Sequence, residues 1–64
     1  MILHVTATGA AWDAAVADVR AITTPADLST TRTPGVSIVV NGTIPPDVRD
    51  ALLALAAARG WTVG

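Results

Sequence analysis

Cysteine, lysine, phenylalanine and tyrosine are all absent from this 64-residue sequence, which contains a single histidine. Without cysteine the chain can form neither disulfide bonds nor thiolate metal ligands, so we expect no metal site and no bound cofactor. The four cationic side chains are arginines spread along the chain. Because nucleic-acid binding requires a clustered basic face, this distribution argues against a nucleic-acid partner.

Long apolar runs are also missing, so the sequence predicts no membrane-spanning segment. The first residues lack a basic stretch followed by a long apolar core, so no signal peptide is predicted. Together these features predict a cytoplasmic or particle-associated protein without a membrane partner.

Hydrophobic residues make up 52% of the chain, which predicts a folded protein rather than a disordered one. The length allows one small domain over residues 1–64, with a core at the lower limit of independent stability. Since neither disulfides nor a metal can supplement that core, we expect the chain to act as a homo-oligomer or with a protein partner in a larger assembly.

The first half of the chain combines a strand pattern with a helix pattern. β-Branched residues predict a strand over residues 2–7, and apolar residues spaced by three and four predict a helix over residues 10–22. Residues 23–35 are rich in threonine and contain only one large apolar residue. This composition predicts a long loop with one helical turn near Pro25 and a tight turn at Pro34-Gly35.

The second half repeats the alternation of strand and helix. Residues 36–41 have a strand pattern, residues 46–59 have a helical pattern that ends at Gly60, and residues 61–63 suit a short last strand.

Asn41-Gly42 resembles the tip of a β-hairpin, but a hairpin would need a second strand beginning at Thr43. Pro45 and Pro46 forbid that strand, and a helical period follows them, so these residues are predicted to form a β-to-α loop. The resulting order, βαβαβ, predicts an α/β fold with a three-stranded parallel sheet and two main helices.

Each predicted strand has one apolar face and one mixed face. His4 lies on the mixed face of the first strand, and Val39 lies on that of the second, between Ser37 and Asn41. This pattern favours two layers, with both helices on the apolar face and strand order 1-2-3. The alternative order, 2-1-3, places one helix on each face and buries His4. Either sheet has two open edges that could pair with another copy.

Three residues are candidates for a subunit interface: His4, Val39 and Trp61. His4 is the only histidine, and the sequence offers it no partner for general-base chemistry, so we predict no catalytic residue and no enzymatic activity. Val39 supplies apolar surface on the mixed sheet face. Trp61 follows Gly60 in a domain too small to cover a tryptophan fully.

Two loops are candidates for binding a small ligand: Thr8-Gly9 and Asn41-Gly42-Thr43. Each follows a strand of the predicted parallel sheet, where carboxyl-end loops converge on a ligand crevice and helix N-termini can bind anions. Neither loop matches a glycine-rich phosphate-binding motif, and turn formation and capping explain the same residues more simply.

Several stretches resemble the DsrE-type sulfur-relay family. "LHVTATGAAWDAAVADVRAI" looks like its opening strand and tryptophan-containing helix, "VSIVVNG" like its second strand, and "LLALAAARGWTVG" like its next helix and the strand after it. The resemblance implies a compact parallel α/β fold and a tendency to oligomerise. It implies neither sulfur transfer nor a catalytic residue, because the family's relay depends on a cysteine and this chain has none.

The sequence therefore favours a non-enzymatic structural or interaction subunit of a homo-oligomer or larger assembly, and a virion or other particle component is one version of it. The alternative is a DsrE-like module that binds a small ligand through the two loops. An enzyme built on His4 ranks third.

Overall fold

Four short strands and two helices are formed by residues 1–64, all of which are described by the computed structural model. In chain order the elements are β1 (Ile2–His4), α1 (Gly9–Thr23), β2 (Thr30–Thr33), β3 (Ser37–Val40), α2 (Pro46–Arg59) and β4 (Thr62–Val63). The sheet has the strand order β2-β3-β1-β4, and every pair of neighbouring strands is antiparallel. This βαββαβ arrangement is the ferredoxin-like, or split βαβ, topology.

The predicted three-stranded parallel sheet is wrong, and the fold is α+β rather than α/β, because one strand was taken for a loop. That strand is β2, which has the sequence "TTRT" and is mostly exposed at the sheet edge. An edge strand needs few apolar side chains, so its composition can match that of a loop. The β2–β3 hairpin reverses the chain, and β3 therefore runs antiparallel to β1.

The order of the three predicted strands also differs from the favoured one. They correspond to β1, β3 and β4, and β1 lies between the other two, as in the alternative order 2-1-3. The two crossovers step in opposite directions across the sheet, but they start from strands that run in opposite directions. Right-handed connections therefore bring both helices to the same face. Consequently α1 packs beside α2, and His4 is exposed rather than buried.

The core lies between the two helices and one face of the sheet. It contains nine buried apolar residues, which come from that sheet face and from one stripe of each helix: Leu3, Val5, Trp12, Ala15, Val19, Ile38, Val40, Leu52 and Ala56. The strand alternation and the helical spacing predicted which side of each predicted element faces this core. A single core in a chain this short rarely supplies more than about 3–5 kcal/mol of stability.

Gly60 ends α2 in the left-handed conformation, as predicted, with a φ of 73°. The backbone N–H of Trp61 donates to the carbonyl oxygen of Ala56 at 2.9 Å, and the N–H of Gly60 donates to that of Ala57 at 3.4 Å. These two bonds form a Schellman motif, which satisfies carbonyl groups that a helix end leaves free. The motif turns the chain from α2 directly towards β4.

Pro34-Gly35 forms the turn of the β2–β3 hairpin. The backbone N–H of Val36 donates to the carbonyl oxygen of Thr33 at 2.9 Å, and Gly35 has a φ of 74°. Proline followed by a residue with positive φ is the pattern of a type II turn. Asn41-Gly42, by contrast, lies in the connection between β3 and α2, which confirms its prediction as a β-to-α loop.

Gly35→Ala is expected to destabilise the protein by about 1–2 kcal/mol, because a residue with a Cβ is strained in the left-handed region. A Cβ at this position would also lie 3.3 Å from Cγ2 of Thr8. Pro34→Ala changes the neighbouring position without that strain, and it should cost no more than about 1 kcal/mol. Urea unfolding of both variants measures the difference, and equal losses would show that the turn does not require glycine.

Candidate functional site

The sheet face turned away from the helices is uncovered, and we call it the open face. Strand register places on it the residues that alternate with the core positions: Ile2, His4, Thr31, Thr33, Ser37, Val39, Asn41 and Thr62. Nδ2 of Asn41 donates to Oγ1 of Thr31 at 3.0 Å, so β3 and β2 are joined by side chains as well as by the backbone.

The open face has an apolar centre and a hydroxyl-rich border. Ile2 and Val39 are cross-strand partners, and Ile2 is 39% exposed. His4 is the only ionisable residue on this face, and no Asp, Glu or Arg belongs to it. The centres of protein–protein interfaces are likewise poor in charged residues and bordered by polar ones. The composition of the open face is therefore compatible with protein association.

His4 lies on the open face between Ser37 of β3 and Thr62 of β4, and it is exposed. A Cβ built at Gly64 would lie 2.9 Å from Nε2 of His4, so the imidazole rests beside the last residue. No group of three or more His, Cys, Asp and Glu residues is placed to hold a metal ion. His4 thus contributes surface to the open face beside two hydroxyl-bearing residues, Ser37 and Thr62.

The other two predicted interface residues occupy different sides of the sheet. Val39 lies at the centre of the open face and is half-buried. Val63 pairs with the core residue Leu3, and Trp61, two residues earlier, lies on the same side of the sheet. The side chain of Trp61 packs against the core. Trp61 therefore does not belong to the open face, because the Schellman motif at Gly60 turns it towards the helices.

The two predicted ligand-binding loops lie at opposite ends of the sheet. Thr8 contacts the β2–β3 turn, since a Cβ at Gly35 would lie 3.3 Å from its Cγ2. Gly42 lies beside Leu28, where a Cβ would be 3.5 Å from Cδ2, just before β2 begins. In a parallel sheet the two loops would meet at one edge, but β1 and β3 are antiparallel. The shared crevice that motivated the ligand-binding prediction is therefore not formed.

A cleft of about 250 Å³ separates the end of α1 from β2. Its lining consists of two arginines, four hydroxyl-bearing residues and one apolar residue, namely Arg20, Arg32, Thr23, Thr24, Ser29, Thr30 and Leu28. We call it the arginine cleft. Its floor forms because the carbonyl oxygen of Thr23 accepts the N–H groups of Ala26 and Leu28, which folds the chain back after α1.

The two guanidinium groups of the arginine cleft have no carboxylate partner. The only ion pair of the chain joins Arg59 to Asp18, so neither Arg20 nor Arg32 has an acidic oxygen within 4.0 Å. Nη1 of Arg32 donates to Oγ1 of Thr30 at 3.0 Å, which orients the guanidinium beside the cleft.

The electrostatics of the arginine cleft contain two opposing contributions. The C-terminal end of α1 opposes an anion by about 0.3–1 kcal/mol, because helix dipoles are negative at that end. A hydrogen bond from a guanidinium to an anion contributes about 1.5–3 kcal/mol, and the cleft has two such groups. The arginines therefore outweigh the helix dipole, and the cleft is suited to an oxyanion.

Sequence reasoning treated the arginines as scattered and missed this cleft. Arg20 lies in the last turn of α1 and Arg32 lies on β2, so they meet only once residues 30–33 form a strand. The one available signal was the composition of "TTRT", since β-branched threonines around a single cation are compatible with an edge strand.

No protein-family model, no curated protein and no solved structure matches this chain. The resemblance to the DsrE-type family stays a prediction. Neither helix has the length and hydrophobicity required to cross a lipid bilayer.

Proposed function

We propose that this protein is a non-enzymatic structural or interaction subunit that associates with a second copy of itself through the open face. The observation that carries the proposal is the apolar centre of the open face, where exposed Ile2 pairs with half-buried Val39 and no acidic residue or arginine is present. We place the subunit in the cytoplasm or on a larger particle, of which a virion is one example.

The small core supports association as a source of stability. Nine buried apolar residues form it, with neither disulfide nor metal to supplement them. Covering Ile2 and Val39 removes further apolar surface from water at about 25 cal/mol per Å². Because association selects the folded state, the apparent stability should rise with protein concentration.

Repulsion between like charges provides a test of a two-fold contact through this face. In a two-fold interface each copy presents the same patch, so an arginine at its centre faces an arginine of the other copy. Like charges brought together in an interface cost several kcal/mol. Replacing Ile2 by arginine therefore affects association far more than the same charge placed elsewhere.

Ile2→Arg is expected to raise the dissociation constant of the assembly by at least about a hundredfold. Val63→Arg is the matched control, because Val63 is also 39% exposed but its register with Leu3 places it on the helix side of the sheet. Sedimentation and thermal melts over a wide concentration range measure both association and its effect on stability.

The wild-type protein and Val63→Arg should sediment as oligomers whose melting temperature rises with concentration, and Ile2→Arg should sediment as a monomer. A wild-type protein that stays monomeric, with a melting temperature independent of concentration, would refute the proposal. Equal losses in the two variants would place the contact away from the open face.

A further inference from the structure

We propose that the arginine cleft is a binding site for a small doubly charged oxyanion, a phosphate group either free or as the monoester of a small polar molecule. Arg20 and Arg32 supply two guanidinium groups without a carboxylate partner within 4.0 Å. Four hydroxyl-bearing residues line the space between them. This combination of planar cationic forks and neutral donors matches the several acceptor oxygens of a phosphate.

The lining also limits what the ligand carries besides its anionic group. Leu28 is the only apolar residue of the seven that surround the cleft. The cleft has a volume of about 250 Å³, which leaves room beside a phosphate for a small polar group, but its lining offers little apolar surface. An acyl chain or an aromatic ring would find few apolar contacts in the cleft, whereas ligand sites for such groups are lined mainly by apolar side chains.

The distribution of charge favours a small ligand over a nucleic acid. The remaining arginines, Arg49 and Arg59, lie on α2, which packs next to β4 at the edge of the sheet opposite β2. Arg59 is paired with Asp18. The basic groups therefore form no continuous stripe of the kind that follows a phosphate backbone.

The arginine cleft is separate from the open face. Thr30 and Arg32 are the cross-strand partners of the core residues Val40 and Ile38, so their side chains lie on the helix side of the sheet. Oxyanion binding and self-association can therefore be tested independently, and the failure of one leaves the other standing.

Titration of the full chain with inorganic phosphate, followed by amide chemical shifts at low ionic strength, tests the site directly. We expect saturable shifts at Thr24, Ser29 and Thr30. Because each guanidinium makes charge-assisted bonds to the anion, Arg20→Gln and Arg32→Gln should each weaken phosphate binding at least about tenfold. Arg49→Gln removes an exposed arginine that also has no carboxylate partner, and it should leave the affinity unchanged.

Two further measurements distinguish a free phosphate from a phosphate monoester, and a simple positive charge from a guanidinium fork. Glycerol 3-phosphate binding more tightly than inorganic phosphate would identify a monoester as the ligand, and equal affinities would identify the free phosphate group. Arg32→Lys keeps the charge but loses the fork, so it should recover only part of the affinity that Arg32→Gln loses.

Three results would overturn the proposal. The first is the absence of saturation up to roughly 10 mM phosphate, a concentration at which even a weak site is occupied. The second is an equal loss in Arg49→Gln, which would indicate general charge screening. The third is that sodium chloride at the same ionic strength shifts the same resonances to the same extent.

Discussion

Leu3→Ala is expected to lower the free energy of unfolding by about 2–5 kcal/mol, the range for truncating a fully buried leucine. Leu3 is 0% exposed and lies on β1, one of the two central strands. Its register partners are Ile38 on β3 and Val63 on β4, so it joins both neighbouring strands beneath the helices. Shortening it leaves a cavity at the centre of the core.

The size of the loss matters because the total is small. A single core in a chain of this length rarely supplies more than about 3–5 kcal/mol, so removing Leu3 should leave much of the monomer population unfolded at room temperature. Far-ultraviolet circular dichroism with urea titration, at a protein concentration below that of association, measures the effect.

Ile2→Ala is the control for that experiment. Ile2 immediately precedes Leu3 on the same strand, but it lies on the open face and is 39% exposed. Its truncation should cost less than about 1 kcal/mol in the monomer, because it removes less buried surface. If Ile2→Ala were as damaging as Leu3→Ala, the assignment of the two sheet faces would be wrong.

Thr31→Pro is expected to cost at least about 2 kcal/mol, because it removes a ladder hydrogen bond and leaves a carbonyl of β3 without its donor. Val40 exchanges backbone hydrogen bonds with Met1, at 2.8 and 3.1 Å. Backbone groups of a strand point alternately to either side, so those of Val39 point to β2, where Thr31 is the partner.

Arg32→Pro is the matched control at the adjacent residue. The backbone N–H of Arg32 points away from β3 at the free edge of the sheet, where proline is tolerated. It should therefore cost less than half as much as Thr31→Pro. Hydrogen exchange and urea unfolding of the two variants decide whether residues 30–33 pair with β3. Equal tolerance of proline at both positions would contradict the existence of β2.

Local patterns predicted most of the elements because their causes are local. The apolar spacing of residues 10–22 and 46–59 defines both helices, and Gly60 marks the end of the second. The alternation in β1 and β3 correctly separated core side chains from those of the open face. The proline pair after Asn41-Gly42 correctly excluded a hairpin there.

Strand direction could not be predicted in the same way. β2 has hydroxyl-bearing and cationic residues, and it pairs on one side only, so its periodicity carries almost no hydrophobic signal. The β2–β3 hairpin reverses the chain once, so omitting β2 reverses the direction predicted for β3 relative to β1. That single omission converted an antiparallel sheet into a parallel one and changed the expected position of every loop.

The candidate sites likewise divide into features that depend on local alternation and features that depend on strand direction. The positions of His4 and Val39 on the mixed sheet face depended only on alternation and were predicted. The meeting of the Thr8-Gly9 and Asn41–Thr43 loops depended on strand direction, and the structure places these loops apart. The arginine cleft depends on β2 returning beside α1, so sequence reasoning had no basis for bringing its arginines together.

The sequence by itself determined the two helices, the glycine that ends the second, and the apolar sides of both helices and of β1, β3 and β4, because these depend on neighbours within a few residues along the chain. Only the tertiary structure decided the antiparallel order of the strands and the placing of Arg20 and Arg32 beside one cleft. These features depend on contacts between segments distant in sequence, which are decided by how the edge strand and the helices share one small core.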